Sequence, residues 1–265
     1  MAKGKEMDCE MINKDFFKLK SDLFTKKKPF DHIVFDNFFN KKIVENIENE
    51  FPSYTSDIWH VYNNVLENKK TNNNWNNFPS LTYRVFSYLN SSEFVEFLNE
   101  FVGVKLYSDP GLHGGGWHIH GNGGNLNPHK DYAIHPKNGL QRKLNLIIYV
   151  SENFNINDGG ALGFYSLNKK DKLVLEEEIF CRYNRAVLFD TTQESWHGLT
   201  KKITGTNFRK SLAVYYLCEP SDTLEKNTRA FFRVRNEQKL TKEIKSLIKK
   251  RSSEKFVNDV YKKNK

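Results

Sequence analysis

"GWHIHGNGGNLNPHKDYAIHP", residues 116–136, decides how the chain is read. It opens on a short apolar-bearing run, breaks into Gly and Asn, and resumes with two histidines, a lysine and an aspartate where a strand would ordinarily carry Val, Ile or Tyr. From Val104 onward the same grammar repeats: "VKLYS", "GWHIHGN", "LNLIIYV", "GALGFY", "AVLFDT" and "KSLAVYYL" are short runs bounded by Gly, Asn and Asp. Such runs are too many and too short for alternating βαβ units. They predict a mainly β fold, a sandwich or barrel, over residues 104–218.

Upstream the period is helical. "KDFFKLKSDLF" predicts a helix, "FDHIVFDNFF" a strand, and Ile43, Ile47 and Phe51 share a helical face. The polar stretch "NKKTNNNWNNFPS" reads as a surface loop. Ser92 is the expected cap of a helix over "SSEFVEFLNEFVG", with Phe94, Phe97, Leu98 and Phe101 inward and Gly103 as its stop. Beyond Lys239, Leu240, Ile244, Leu247 and Ile248 form an apolar stripe that Phe256, Val257, Val260 and Tyr261 extend. The expected organisation is one structural domain: residues 1–103 supply helices and a strand that support the barrel, 104–220 the core, and 221–265 a helical tail.

Of the formal charge of +9, residues 221–265 hold 14 Lys and Arg against 6 Asp and Glu, a net +8, so the body is close to neutral. The basic character belongs to the tail, and a charged helix face is ordinarily solvated. The three cysteines, Cys9, Cys181 and Cys218, have no CxxC spacing and read as free thiols rather than a disulfide framework. The opening residues lack the apolar run of a secretory signal, and no stretch is long enough to cross a bilayer. A soluble, cytoplasmic protein with no membrane partner is expected.

In a strand, residues i and i+2 point to one face, so His129 and Asp131 can enter a barrel together while Lys130 points away. His197 follows a late strand, and antiparallel pairing can bring it opposite. Two imidazoles and a carboxylate leave one side of an octahedral ion open, the arrangement of non-haem Fe(II) oxygenases. Twelve residues beyond His197, "FRKSLAVYYL" places Arg209 and Ser211 on one strand face. A buried guanidinium calls for a carboxylate, to which Ser211 and the Tyr149 hydroxyl can add hydrogen bonds.

The run "HKDYAIHP…RKLNLIIYVS…DGGALGFY…WHGL…FRKSLAVYYL", with the "KPFDHIVFDNFF" opening, resembles the prolyl-hydroxylase-like branch of the 2-oxoglutarate/Fe(II)-dependent dioxygenases. That resemblance implies a double-stranded β-helix, the cupin-like jelly-roll barrel. It implies His129, Asp131 and His197 as iron ligands, Arg209 as the anchor of the distal 2-oxoglutarate carboxylate, and Tyr149 and Ser211 beside it. The implied cofactors are Fe(II), 2-oxoglutarate and O₂, with ascorbate as accessory reductant, and the implied reaction is hydroxylation with release of succinate and CO₂. Asp131, in place of Gly or Ala, argues against the halogenating variant.

His120, His135 and Trp196 are candidate contacts of a small-molecule or peptide substrate. His118, His120 and His129 offer a rival three-nitrogen zinc site, and a non-catalytic or zinc-bound cupin-like binding module is the alternative function. Nucleic acid is not an expected partner: nucleobase demethylases carry a second arginine six residues after the first, where this chain has Tyr215.

Overall fold

Along Gln141–Tyr149, Leu144, Leu146 and Ile148 turn into one apolar cluster while Tyr149 turns into another. Successive strand residues point to opposite faces, so a strand covered on both sides reads as the near-continuous apolar run "LNLIIYV". One side faces supporting helices. The other faces the interior of a barrel.

The computed structural model describes residues 11–222 and 229–252. Its strands are β1 (His32–Phe35), β2 (His60–Asn63), β3 (Glu67–Asn72), β4 (Tyr107–Ser108), β5 (Gly116–His120), β6 (Asn125–Leu126), β7 (His129–Lys130), β8 (Gln141–Tyr149), β9 (Leu162–Leu167), β10 (Leu173–Ile179), β11 (Ala186–Asp190), β12 (Trp196–Leu199), β13 (Arg209–Cys218) and β14 (Phe231–Phe232). The helices are α1 (Lys41–Asn49), α2 (Ser80–Leu89), α3 (Ser92–Val102) and α4 (Lys242–Arg251).

The larger sheet runs β1-β11-β8-β13-β5-β3-β2, with β4 added to β13 and β6 to β3; the smaller runs β10-β9-β12-β7-β14. From β7 the chain crosses to the larger sheet for β8, returns for the β9–β10 hairpin, crosses for β11, returns for β12 and crosses again for β13. That path is a jelly roll, the double-stranded β-helix. Its turns bring β7 and β12 side by side on one wall and β8, β13 and β5 side by side on the wall opposite.

The outer face of the larger sheet is buried under α1, α2 and α3, where Val44, Ile47, Phe86, Leu89, Phe94 and Leu98 meet Leu212, Val214 and Tyr216. α3 ends on left-handed Gly103 as expected, but its cap is Ser91, whose side chain accepts from the Phe94 N–H at 3.3 Å. Ser91 keeps the extended backbone a cap requires, whereas Ser92 is already in the first turn. The inward set of α2, Thr82, Val85, Phe86 and Leu89, falls at helical spacing after Pro79, and the Glu50 carboxylate accepts from its first N–H groups.

Two further expectations are corrected. "KDFFKLKSDLF" forms two 3₁₀ turns, Phe16–Lys18 and Ser21–Leu23, separated by extended Leu19, so Phe16 and Phe24 enter the core as separate wedges and not as a helical stripe. The Asn-rich stretch is not a loop throughout. Residues Glu67–Asn72 are β3, inside the larger sheet. Its signal fails because both faces are polar: Lys70 leans outward on the Tyr54 ring, and Glu67 and Lys69 turn inward.

The tail is part of the body. Thr241 caps α4, and Ile244, Leu247 and Ile248 pack with Leu66, Leu126 and Phe232, while Arg251 pairs with Glu67. Leu240 precedes the helix and is exposed, and Phe256, Val257, Val260 and Tyr261 lie outside the described residues.

Candidate metal and co-substrate site

His129 on β7 and His197 on β12 are direct cross-strand partners. The Nδ1 of His129 lies 3.0 Å from the Asn127 carbonyl and that of His197 2.9 Å from the Ser195 carbonyl. A carbonyl only accepts, so each Nδ1 carries the ring proton and each Nε2 presents a lone pair. Asp131 follows β7 directly. Its Oδ1 is 3.6 Å from the His129 Nε2 and its Oδ2 3.8 Å from the His197 Nε2.

The ligand atoms of these three residues lie within 4.8 Å of one another, and among the described residues no other group of three or more metal-binding side chains converges in this way. The rival trio of His118, His120 and His129 is therefore not assembled. Protonation suits a divalent ion. Burial pushes the His197 imidazole down to about 4, with His129 adding to the shift. Burial opposes ionisation of Asp131, but the adjacent His129 and His197 rings and the Arg142 charge hold the carboxyl below its usual range. Metal ligands must be deprotonated, and these two are. Two imidazole nitrogens and one carboxylate fit a first-row divalent ion such as Fe(II).

Two residues on β8 orient the carboxylate. Asn145 donates to Asp131 at 3.5 Å, and the Arg142 Nη1 stands 3.8 Å from it. Arg142 is itself clasped between the Tyr132 and Tyr215 rings, its Cζ 3.4 and 3.5 Å from their centroids.

On the opposite wall, Arg209 is 4% exposed. Its Nε donates to the Gly160 carbonyl and the Cys181 sulfur, both at 2.9 Å, and its Nη2 to the Tyr149 hydroxyl at 3.2 Å. These partners are neutral: burial pushes the Tyr149 phenol up, and the Cys181 thiol donates to Gly160. A buried cation whose hydrogen-bond partners are all uncharged is a place for an anion. Ser211 shares the Arg209 face, is buried, and pairs through its backbone with Tyr149 on one side and His118 on the other.

His120 stands opposite Arg209 across β5 and β13 and is 2% exposed, with neither ring nitrogen hydrogen-bonded among the described residues. Burial and the Arg209 and Lys69 charges push it well down, so it is neutral. The other two candidate contacts are placed differently. His135 is buried, its Nδ1 accepting from the Lys137 and Asn138 N–H groups and its Nε2 3.6 Å from Asp109, so it holds its own turn. Trp196 precedes His197 and therefore faces out of the barrel, against Tyr165, Leu173 and the Phe231 ring.

Sequence reasoning missed Arg142, Asn145 and Lys69. Asn145 had a readable signal, a lone amide inside "LNLIIY"; Lys69 had none, being hidden in the Asn-rich stretch. A polar cleft of about 510 Å³ opens beside Asp131, and Arg142, Lys130, Lys143, Gln193, Glu194 and Glu219 are among its walls.

Residues 115–217 match the 2OG-Fe(II) oxygenase superfamily. No curated protein matches the chain. Among solved structures, a Pseudomonas putida prolyl-4-hydroxylase aligns with TM-score 0.55 and 10% identity over 76% of this chain and 99% of its own. A Trichoplax adhaerens prolyl hydroxylase in complex with a hypoxia inducible factor oxygen degradation domain peptide fragment aligns at 0.54 and 14%, over 77% and 89%. HygX from Streptomyces hygroscopicus, with nickel, 2-oxoglutarate and hygromycin B bound, aligns at 0.51 and 11%, over 76% and 88%. These likenesses identify the fold. Among the described residues no helix is long and apolar enough to cross a membrane.

Proposed function

With its barrel matching the 2OG-Fe(II) oxygenase superfamily over residues 115–217, we propose that this chain is a 2-oxoglutarate-dependent oxygenase that hydroxylates an unactivated C–H bond of a polar small molecule or peptide. The balanced reaction consumes one 2-oxoglutarate and one O₂, with one oxygen atom entering the new hydroxyl and the other entering succinate as CO₂ leaves. The observation that carries this reading is the pairing of two sites on facing walls: a convergent His129–Asp131–His197 set, and a buried Arg209 whose hydrogen-bond partners among the described residues are all neutral.

His129, Asp131 and His197 would hold Fe(II), which would supply the redox chemistry that activates O₂. Arg209 binds the distal carboxylate of 2-oxoglutarate through its planar fork, with the Tyr149 hydroxyl and Ser211 completing the contact. Neutral His120, beside Arg209, offers a donor and an acceptor to the bound molecules without adding charge. Phe30, Phe164, Phe189 and Ile203 keep water from the barrel floor. Asn145 and Arg142 fix the Asp131 carboxylate. The cleft beside Asp131, with charged and amide side chains in its walls, supports a polar substrate. The solved relatives bound to a peptide fragment and to hygromycin B support both substrate classes.

The test is release of succinate from 2-oxoglutarate with Fe(II) and O₂, screened across peptides, free amino acids, sugars and aminoglycosides. Substrate-stimulated succinate above the unstimulated rate, with hydroxylated product at a one-to-one ratio, supports the proposal. Absence of any 2-oxoglutarate consumption by the folded, iron-loaded protein removes it.

A further inference from the structure

We propose that Arg235, carried by the C-terminal segment, is a positioning residue of the metal centre, clamping together the two strands that present His129 and His197. The inference rests on the reading of those histidines as metal ligands. It gives the basic tail a task inside the protein.

The ladder between the two strands is slight. β7 is 2 residues long, and its register with β12 consists of the single pair His129–His197. A pair of backbone positions does not fix a ring separation, so other contacts have to hold the strands in line. Arg235 makes them. It is 7% exposed, and its Nε and Nη2 both donate to the Leu199 carbonyl, at 3.1 and 2.9 Å, two residues past His197 on β12. Its Nη1 donates to the Asn127 Oδ1 at 3.0 Å, two residues before His129, and its Nη2 also reaches Asn125. One guanidinium thus spans the lead-in of β7 and the end of β12.

Asn127 connects the clamp to the ligand. Its carbonyl receives the His129 Nδ1 proton at 3.0 Å, the contact that turns Nε2 toward the metal site. Its amide is held by the Gln238 Oε1 at 2.6 Å and by the Arg233 carbonyl at 3.1 Å. The same segment supplies β14, whose Phe232 pairs with His129 through the backbone and stacks on its ring at 5.1 Å and 19°. His129 is therefore oriented from its carbonyl partner and supported on its ring face by residues 231–238 together. All five Arg235 hydrogen bonds end on carbonyl or amide oxygens, and among the described residues no carboxylate forms an ion pair with it, Glu237 acting on the charge only through space. Burying a cation in this way is costly, and the planar fork can join two strands where a lysine ammonium cannot.

The experiment measures Mn(II) affinity and, in the metal-free protein, the His129 tautomer by ¹⁵N–¹H correlation of ring nitrogens. Wild type, Arg235→Met, Arg235→Lys and Gln238→Ala are compared with Leu98→Ala, a truncation under α3 on the far side of the larger sheet, at matched melting temperature. Arg235→Met and Arg235→Lys are expected to lose about 10- to 100-fold in Mn(II) affinity and to show mixed His129 tautomers. Gln238→Ala should lose a few-fold, and Leu98→Ala should keep wild-type affinity. Should the Arg235 variants not fold, Gln238→Ala alone decides, and wild-type affinity with a single tautomer in it overturns the proposal. So does folded Arg235→Met binding Mn(II) as wild type does, or Leu98→Ala losing as much. Failure of wild type itself to bind Mn(II) would instead remove the metal reading beneath it.

Discussion

His129 and His197 face each other as the one register pair joining β7 to β12, their ring centroids 4.4 Å apart. Antiparallel pairing thus closes a gap of 68 residues of sequence to one ladder step. Because each ring has its Nδ1 on a carbonyl, both rings are held in one orientation.

Single replacement of His129, Asp131 or His197 by alanine should abolish stoichiometric Mn(II) binding, with circular dichroism unchanged. Removing one of three protein ligands loses affinity well beyond the 10- to 100-fold cost of an outer-sphere change. Electron paramagnetic resonance of free Mn(II) measures it. Full occupancy in any of the three variants would exclude that residue as a ligand.

Arg209→Ala should raise the 2-oxoglutarate requirement about thirtyfold or more while Mn(II) affinity holds, since truncating one partner of a buried charge pair costs about 2–5 kcal/mol. Tyr149→Phe removes one neutral hydrogen bond, worth about 1 kcal/mol, and should cost about fivefold. The check is KM for 2-oxoglutarate against kcat in the same preparations. An effect of Arg209→Ala on kcat alone would place the guanidinium elsewhere in the reaction.

The metal-free protein should lose stability as pH falls below about 6.5. Burial, and then the Lys69 and Arg209 charges, push His118 down to about 3, and burial does the same to His113. Unfolded, each takes a proton near pH 6.5, so between the two values the unfolded chain binds more protons and the folded state is disfavoured. At pH 5 the loss is about 2 kcal/mol for His118, and above pH 7 it vanishes because both states are neutral. Urea midpoints from pH 7.5 to 5 should fall, and less steeply in His118→Gln. Equal slopes in the two proteins would show that His118 is not held neutral.

Cap placement on α3 gives a direct contrast. Ser91→Ala should cost about 1 kcal/mol and Ser92→Ala close to nothing, read from urea unfolding, because only the Ser91 hydroxyl accepts from the Phe94 N–H. The reverse order would restore the assignment made from sequence alone.

The barrel was legible because its strands are apolar on both faces or alternate cleanly, and the His129–Asp131 spacing carries its geometry with it. β3 was not, since an inward face of Glu67 and Lys69 beside an outward Lys70 has no apolar rhythm. Nor was Arg235: a basic residue in a basic tail looks solvated, and only folding shows it under β7 and β12. Trp196, expected to contact substrate, is turned out of the barrel by the same alternation that sends His197 inward.

Anaerobic titration of the metal-free protein with Fe(II) and then 2-oxoglutarate, followed in the visible region, tests the central claim most directly. A weak charge-transfer band should appear only with both present, saturate at one Fe(II) per chain, vanish in Asp131→Ala and need far more 2-oxoglutarate in Arg209→Ala. A folded wild-type protein that gives no band, or a band that survives in Asp131→Ala, would contradict the account.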